Sequence, residues 1–366
     1  MFEQRLYKHL DWSLLAAVLM LCLFGLLMIY STTYDPIRER VGREFYTQLS
    51  AMGIGLVAMA IVLLIDYRTL SEYAPVLYGG VAVLLVYVLF FGVVAGGSRR
   101  WISLGVFNLQ PSELAKAALA LLLATWFGQE KISAARMGDL AVAGGLLALP
   151  FLLIARQPDL GSAVTLIPAL GGIAYAAGLR MRLIGYAVLV CVLLAPVAWT
   201  YGLQDYQRSR VVTFLDPSQD ARGAGYQQIQ ARITVGSGGL TGKGFLNGTQ
   251  GQYKFLPVAH NDFVYSVLAE EHGFLGVLLT LGLYLYVLIR SLDAARLARD
   301  RIGAYLVVGL ISCFAFQVIY NIAMSAGLAP VKGLTLPLMS YGGSSMIATL
   351  MSFGFILNVR MRRFAN

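Results

Sequence analysis

Asp262 lies within the stretch Leu256-Pro257-Val258-Ala259-His260-Asn261-Asp262-Phe263-Val264-Tyr265, just before a long apolar run. A carboxylate there can act as a base, hold a cation, or cap the helix that follows. Upstream, Gln110-Pro111-Ser112-Glu113-Leu114-Ala115-Lys116 sets an acid and an amine three residues apart, so on a helix they share a face. Pro111 suits the first turn of that helix. The pair either neutralises itself or turns an acid and a cation toward a cavity. Gln157-Pro158-Asp159-Leu160-Gly161-Ser162 adds Asp159 at a turn, where Asp is also an ordinary cap. In Gly96-Gly97-Ser98-Arg99-Arg100-Trp101-Ile102 two arginines stand beside a tryptophan, as an interfacial anchor or as a site for an anionic headgroup. Glu270 and Glu271 lie eight and nine residues beyond Asp262, roughly 12 Å deeper on a helix, and cannot both face one cavity.

An acid surrounded by Arg and Lys suits an anionic substrate with a hydroxyl to be deprotonated. A polyprenyl-diphosphate sugar fits: its tail is membrane-bound, its diphosphate needs cations, and diphosphate is already a good leaving group. One base plus electrostatic stabilisation of the leaving phosphates suffices. Cations near an acid at an aqueous mouth are expected to hold its pKa low.

Such residues must be positioned by membrane helices. Of 366 residues, 58% are hydrophobic and only 13% charged, and the mean hydropathy is +0.70. Soluble domains carry roughly 25% charged residues, so a soluble enzyme, a disordered chain and a single-pass anchor are excluded. The expected fold is an all-α polytopic membrane protein, one integral membrane domain over 1–366. It has about ten transmembrane helices, at 12–30, 45–65, 74–94, 114–128, 140–155, 162–178, 183–201, 263–289, 303–327 and 342–358. The run after Arg5 and Lys8 is too long for a cleavable signal and reads as the first span. Pro150, Pro168 and paired glycines interrupt two short spans, either as cavity-lining breaks or as ordinary kinks.

An even number of spans puts both termini on one side. With the long 202–262 segment set aside, Lys and Arg favour the tail side 14 to 8, so both termini are expected in the cytoplasm. The 202–262 segment, between spans seven and eight, is then a large extracytoplasmic loop. Its run Gly236-Ser237-Gly238-Gly239-Leu240-Thr241-Gly242-Lys243-Gly244 fails as a P-loop, which needs Gly at 237 and Ser or Thr at 244. Cys22, Cys191 and Cys313 are scattered through apolar runs, and His9, His260 and His272 lack zinc-site spacing. The net charge of +9 follows from membrane topology rather than nucleic-acid binding.

With these residues in view, the chain resembles the SEDS family (shape, elongation, division and sporulation) of membrane glycosyltransferases. The likeness runs from Arg100-Trp101 through QPSELAK (110–116), QPDLGS (157–162), FLDP (214–217) and GAGYQQIQ (223–230). It continues in GSGGLTGKGFLNGTQ (236–250), FLPVAHNDFVYSVLAEE (255–271) and LPLMSYGGSS (336–345). GKGFLNGTQ looks like the elongation members, whereas VKGLTLPL (331–338) looks more like the division members. Val258 and Asn261 depart from the family's usual Glu and Thr.

The resemblance implies that Asp262 is the catalytic carboxylate and that Glu113, Lys116 and Asp159 surround the substrate; Arg100, Arg210, Lys243 and His260 join them as candidate substrate-binding residues. The implied substrate is lipid II, polymerised into glycan strands during cell elongation with release of undecaprenyl diphosphate, in the bacterial cytoplasmic (inner) membrane. The implied partner is a class B penicillin-binding protein, alongside membrane lipids and no nucleic acid. A divalent cation such as magnesium is left open. The alternative is a flippase for the lipid-linked precursor.

Overall fold

The computed structural model describes residues 9–35, 38–95, 98–103, 105, 108–129, 137–202, 204–220, 223–252, 255–256 and 259–364. Arg5, Lys8, Gly96, Gly97, Pro257 and Val258 lie outside them. Helices dominate because a backbone in hydrocarbon must satisfy its own N–H and C=O groups.

Seven described helices are long and apolar enough to cross a membrane: α1 (Trp12–Thr33), α2 (Arg43–Leu64), α4 (Ala74–Phe91), α6 (Met137–Ala155), α13 (Val264–Arg296), α14 (Arg301–Ser325) and α15 (Gly343–Met361). A short α3 (Tyr67–Glu72) joins α2 to α4. The other three expected spans are helical but less regular. α5 (Pro111–Gly128) carries Glu113 and Lys116 in its first turns. The next is broken into α7 (Leu160–Val164) and α8 (Ile167–Ala176), with Pro168 starting the second piece. α9 (Met181–Val197) runs past Pro196 into a wide π turn at Ala198–Gly202. Apolar side chains such as Leu64, Phe91 and Leu279 point outward, as helices facing lipid require.

α15 packs along α2, while α14 contacts α5, α8 and α13. Buried faces of α1, α2, α5, α13, α14 and α15 share one core containing Leu14, Leu121, Leu268, Leu310 and Phe353. A second cluster around Leu119, Phe127 and Ile154 joins α4 to the α5–α8 group. At one end of the bundle, Asp11 before α1 meets Arg290 of α13 at 3.0 Å and Arg360 of α15 at 2.7 Å. The beginning of α1 and the end of α15 therefore lie at the same end. Asp262 precedes a 33-residue helix whose far end carries Arg290, which places it toward the opposite end.

On the Asp262 side the described parts of the connections carry short strands and helices. β1 (Tyr34–Asp35) pairs with β2 (Arg40–Val41), and β3 (Val93–Ala95), β4 (Ser98–Ser103) and β5 (Asn108–Leu109) form a small antiparallel sheet. The 202–262 segment is largely helical, with α10 (Asp205–Leu215), α11 (Ala224–Ser237) and a single turn α12 (Thr249–Gln252).

α13 is interrupted at Gly273, where φ is 63° and ψ −163°, a conformation essentially confined to glycine. The N–H groups of Phe274 and Leu275 lose their helical acceptors and donate to the carbonyls of Gly239 and Leu240, at 2.9 and 3.1 Å. The freed carbonyls of Glu270 and Glu271 accept from the N–H groups of Lys243 and Gly244, at 2.9 and 3.0 Å. The Gly-rich run that fails as a P-loop thus takes up the groups of two missing rungs of the helix ladder.

Candidate active site

A cavity of ≈ 690 Å³ opens among α2, β4, α5, α7, the Asp262 turn and the segment leading into α15. Its wall includes Asp262, Glu113, Asp159, Arg43, Arg100 and Gln317. Three of these come from the motifs singled out for acid chemistry. A neighbouring cavity of ≈ 390 Å³ shares Arg100, Asp159 and Gly333 and adds Arg210 and Lys332.

Asp262 sits on a turn rather than on the helix, half-buried, and no side-chain cap bond joins it to α13. Its backbone is anchored instead: the carbonyl accepts from Asn321 Nδ2 at 2.9 Å, and the neighbouring His260 carbonyl accepts from the Tyr341 N–H at 2.9 Å. Burial pushes the carboxyl up to about 6 and outweighs the lowering by the Arg210 guanidinium. The expected low pKa is therefore corrected, because removal from water overrides the nearby cation.

Glu113 and Lys116 are both buried. Lys116 Nζ donates to Glu113 Oε2 at 2.7 Å and to Gln317 Oε1 at 2.9 Å. The pair is an ion pair, and its acid also lines the main cavity. Lys116 lies one layer deeper, on a void of only ≈ 30 Å³ with Gln317, Cys313 and Phe353.

Asp159 serves two purposes. Its Oδ1 caps α7 by accepting from the Ser162 N–H at 3.1 Å, while Oδ2 accepts from Gln110 Nε2 at 3.0 Å and faces Arg100 Nη1 at 3.6 Å. Arg100 also donates to the Pro158 carbonyl at 2.8 Å and the Gln157 carbonyl at 3.3 Å. It therefore braces the cavity wall rather than resting at an interface. Arg210 of α10 faces Lys332 across the second cavity, and burial followed by the Arg210 charge lowers the Lys332 pKa.

Two candidates fall elsewhere. Lys243 donates to Glu270 Oε1 at 2.6 Å, which holds the Gly-rich loop on α13, and it stands outside the walls of both cavities. Glu270 also accepts from the Thr249 and Gln250 N–H groups at 3.0 and 3.2 Å, and Glu271 accepts from Ser31. Both carboxylates thus serve the loop and α1. The His260 ring packs edge-on to Tyr341, with centroids 5.5 Å apart; Tyr341, not His260, lines the cavity, and burial lowers the His260 pKa.

Sequence reasoning missed Arg43, Gln317, Asn321 and Lys332. Gln317 and Asn321 carried a usable signal, since polar amides inside an apolar span are costly unless they bond to something. Lys332 sits in a connection and Arg43 is the first residue of α2, places where a basic residue reads as topology. Among the described residues, no group of three His, Cys, Asp or Glu side chains converges as a metal-ion set would.

Fold and cavity define a multi-pass membrane protein with an acid among cations at one end of its bundle. Residues 12–364 match the family profile of FtsW, RodA and SpoVE, the cell cycle proteins, and the chain belongs to this family, the SEDS family that its motifs resemble. It is 39% identical to the peptidoglycan glycosyltransferase MrdB of Escherichia coli K12, over 97% of this chain and 94% of that one. The identity is also 39% with the probable peptidoglycan glycosyltransferase FtsW of Geobacter metallireducens, over 95% of this chain and 94% of that one. A solved chain of a peptidoglycan synthase complex that coordinates polymerization and crosslinking superposes with a TM-score of 0.85 at 34% identity, covering 98% and 99% of the two chains.

Proposed function

We propose that this chain is a peptidoglycan glycosyltransferase that polymerises lipid II, with Asp262 as the base. The observation that carries the reading is the half-buried Asp262 on a cavity that continues into Arg100, Arg210 and Lys332. In the reaction Asp262 takes the proton of the acceptor's GlcNAc 4-hydroxyl as its oxygen bonds to C1 of the donor's MurNAc. The C1–O bond to the diphosphate breaks, and undecaprenyl diphosphate leaves with the bonding pair. Arg100, Arg210 and Lys332 supply the charge that the leaving phosphates need. A pKa near 6 leaves the carboxylate ionised at neutral pH and makes it a stronger base than an ordinary Asp.

All ten apolar helices cross the inner membrane in this reading, with both termini in the cytoplasm and the cavity outside. Support comes from the Asp11–Arg360 contact, which gathers the beginning of α1 and the end of α15 at one end. The transporter alternative is disfavoured because the polar lining narrows below Glu113 to the ≈ 30 Å³ void bounded by Phe314 and Phe353. The partner is a class B penicillin-binding protein, by analogy with the synthase complex. Glycan-chain formation from lipid II by purified Asp262→Asn tests the reading. The expected result is a folded, inactive protein; chain formation near the wild-type rate refutes it and reopens transport.

A further inference from the structure

We infer that Asn321 is a positioning residue for the reaction proposed above, tying the turn that carries Asp262 to the chain segment on the facing wall of the cavity. Asn321 lies on α14 and is wholly buried. Its amide nitrogen donates to the Asp262 carbonyl at 2.9 Å and to the Leu334 carbonyl at 2.6 Å. An amide nitrogen has two N–H groups, so both are committed to these two carbonyls.

Neither segment is regular secondary structure: 259–263 is a turn, and 330–336 is an irregular connection between α14 and α15. Neither therefore has a helical ladder to fix its place. Next to Leu334, Gly333 has φ +68°, and a Cβ built on it would lie 3.6 Å from Asp262 Oδ2. Gly333 and Asp262 both line the main cavity, and Gly333 also lines the cavity with Arg210 and Lys332. One side chain thus sets the gap between the base and the wall that leads to the cations. Hydroxyl and leaving group must meet across that gap.

The chemistry of Asn321 favours this role over packing. Its Oδ1 is buried without a hydrogen-bond partner, so the amide carries an unmatched acceptor that a leucine of similar size would lack. The site keeps that disadvantage together with two well-placed donors. A group held within a fraction of an ångström is what rate depends on, since a misplacement of about 1 Å can cost about 100-fold.

The inference rests on the Asp262 reading, and one experiment separates the two. Lipid II polymerisation is measured with the full-length protein, purified with its transpeptidase partner, for wild type, Asn321→Leu, Asn321→Gln and Asp262→Asn. Melting temperature is read on each. Asn321→Leu is expected to keep its KM within about twofold while kcat falls about 100-fold. Asn321→Gln retains both donors on a longer arm and is expected to fall between Leu and wild type. A fold defect alone would scale the active fraction and would not be relieved by glutamine. If Asn321→Leu does not fold, Asn321→Gln decides: lowered kcat at unchanged KM and melting temperature supports the inference. Wild-type kcat in the folded variant overturns it. Wild-type turnover by Asp262→Asn overturns the base assignment, whereas an inactive Asp262→Asn beside a normal Asn321→Leu overturns the positioning role alone.

Discussion

On the proposed base role of Asp262, lowering the pH from 7 to 5 should cut polymerisation about tenfold. Burial holds this carboxyl at about 6, against an ordinary value of 3.8. A base must be deprotonated to accept a proton, so activity falls as pH drops through the folded-state value. About 90% of the carboxylate is ionised at pH 7, half at pH 6 and about 10% at pH 5. The rate should therefore fall about tenfold between pH 7 and pH 5. An Asp with its ordinary pKa would still be more than about 90% ionised at pH 5 and would lose almost nothing. The Arg210 guanidinium opposes the shift, so Arg210→Gln should move the acid limb to higher pH. The assay is kcat for glycan-chain formation from saturating lipid II between pH 5 and 8, with folding monitored at each pH. A flat profile to pH 5 in a folded protein would refute the buried-base argument, as would an acid limb that moves down in Arg210→Gln.

Lys116→Met leaves Glu113 and Gln317 without their shared donor and should cost about 3–5 kcal/mol; thermal unfolding in detergent should show most of the loss recovered in Glu113→Gln/Lys116→Met. Gly273→Ala puts a side chain on an essentially glycine-only backbone and a Cβ 2.3 Å from the Gly242 nitrogen. It should cost about 1–3 kcal/mol, read as a lower melting temperature and faster proteolysis within 238–246; an unchanged melting temperature would mean that the break tolerates side chains. Asp11→Asn strips the charge that meets Arg290 and Arg360 and should cost about 3 kcal/mol, and a wild-type melting temperature would remove these pairs from the stability argument.

The sequence made the membrane class plain because hydropathy reports directly on burial in lipid, and each apolar run from 12–30 to 342–358 is helical in the structure. Side-chain spacing within a helix was equally readable: Glu113 and Lys116 meet as their i,i+3 separation requires. What stayed illegible depends on distant segments. Asp262 at the start of an apolar run looked water-exposed, but Asn321 and the Gly333 segment, about sixty and seventy residues later in the chain, enclose it. Lys243 looked like one more loop cation, because nothing local reveals that Glu270 faces it. Arg100 kept two readings because the groups that hold it, the carbonyls of Gln157 and Pro158, come from another connection.

The interruption at Gly273 makes the continuity of α13 conditional. The helix is spliced, with the joining strand supplied by residues outside it: remove 239–244 and two donors and two acceptors are left unmatched at membrane depth, where each costs several kcal/mol. The Gly-rich loop is therefore a structural member of the bundle. Just past the splice the chain turns through Thr249 and Gln250, held on Glu270, and about a dozen residues later it delivers Asp262. A protein gripping this loop would consequently hold a handle on the Asp262 turn without touching the cavity.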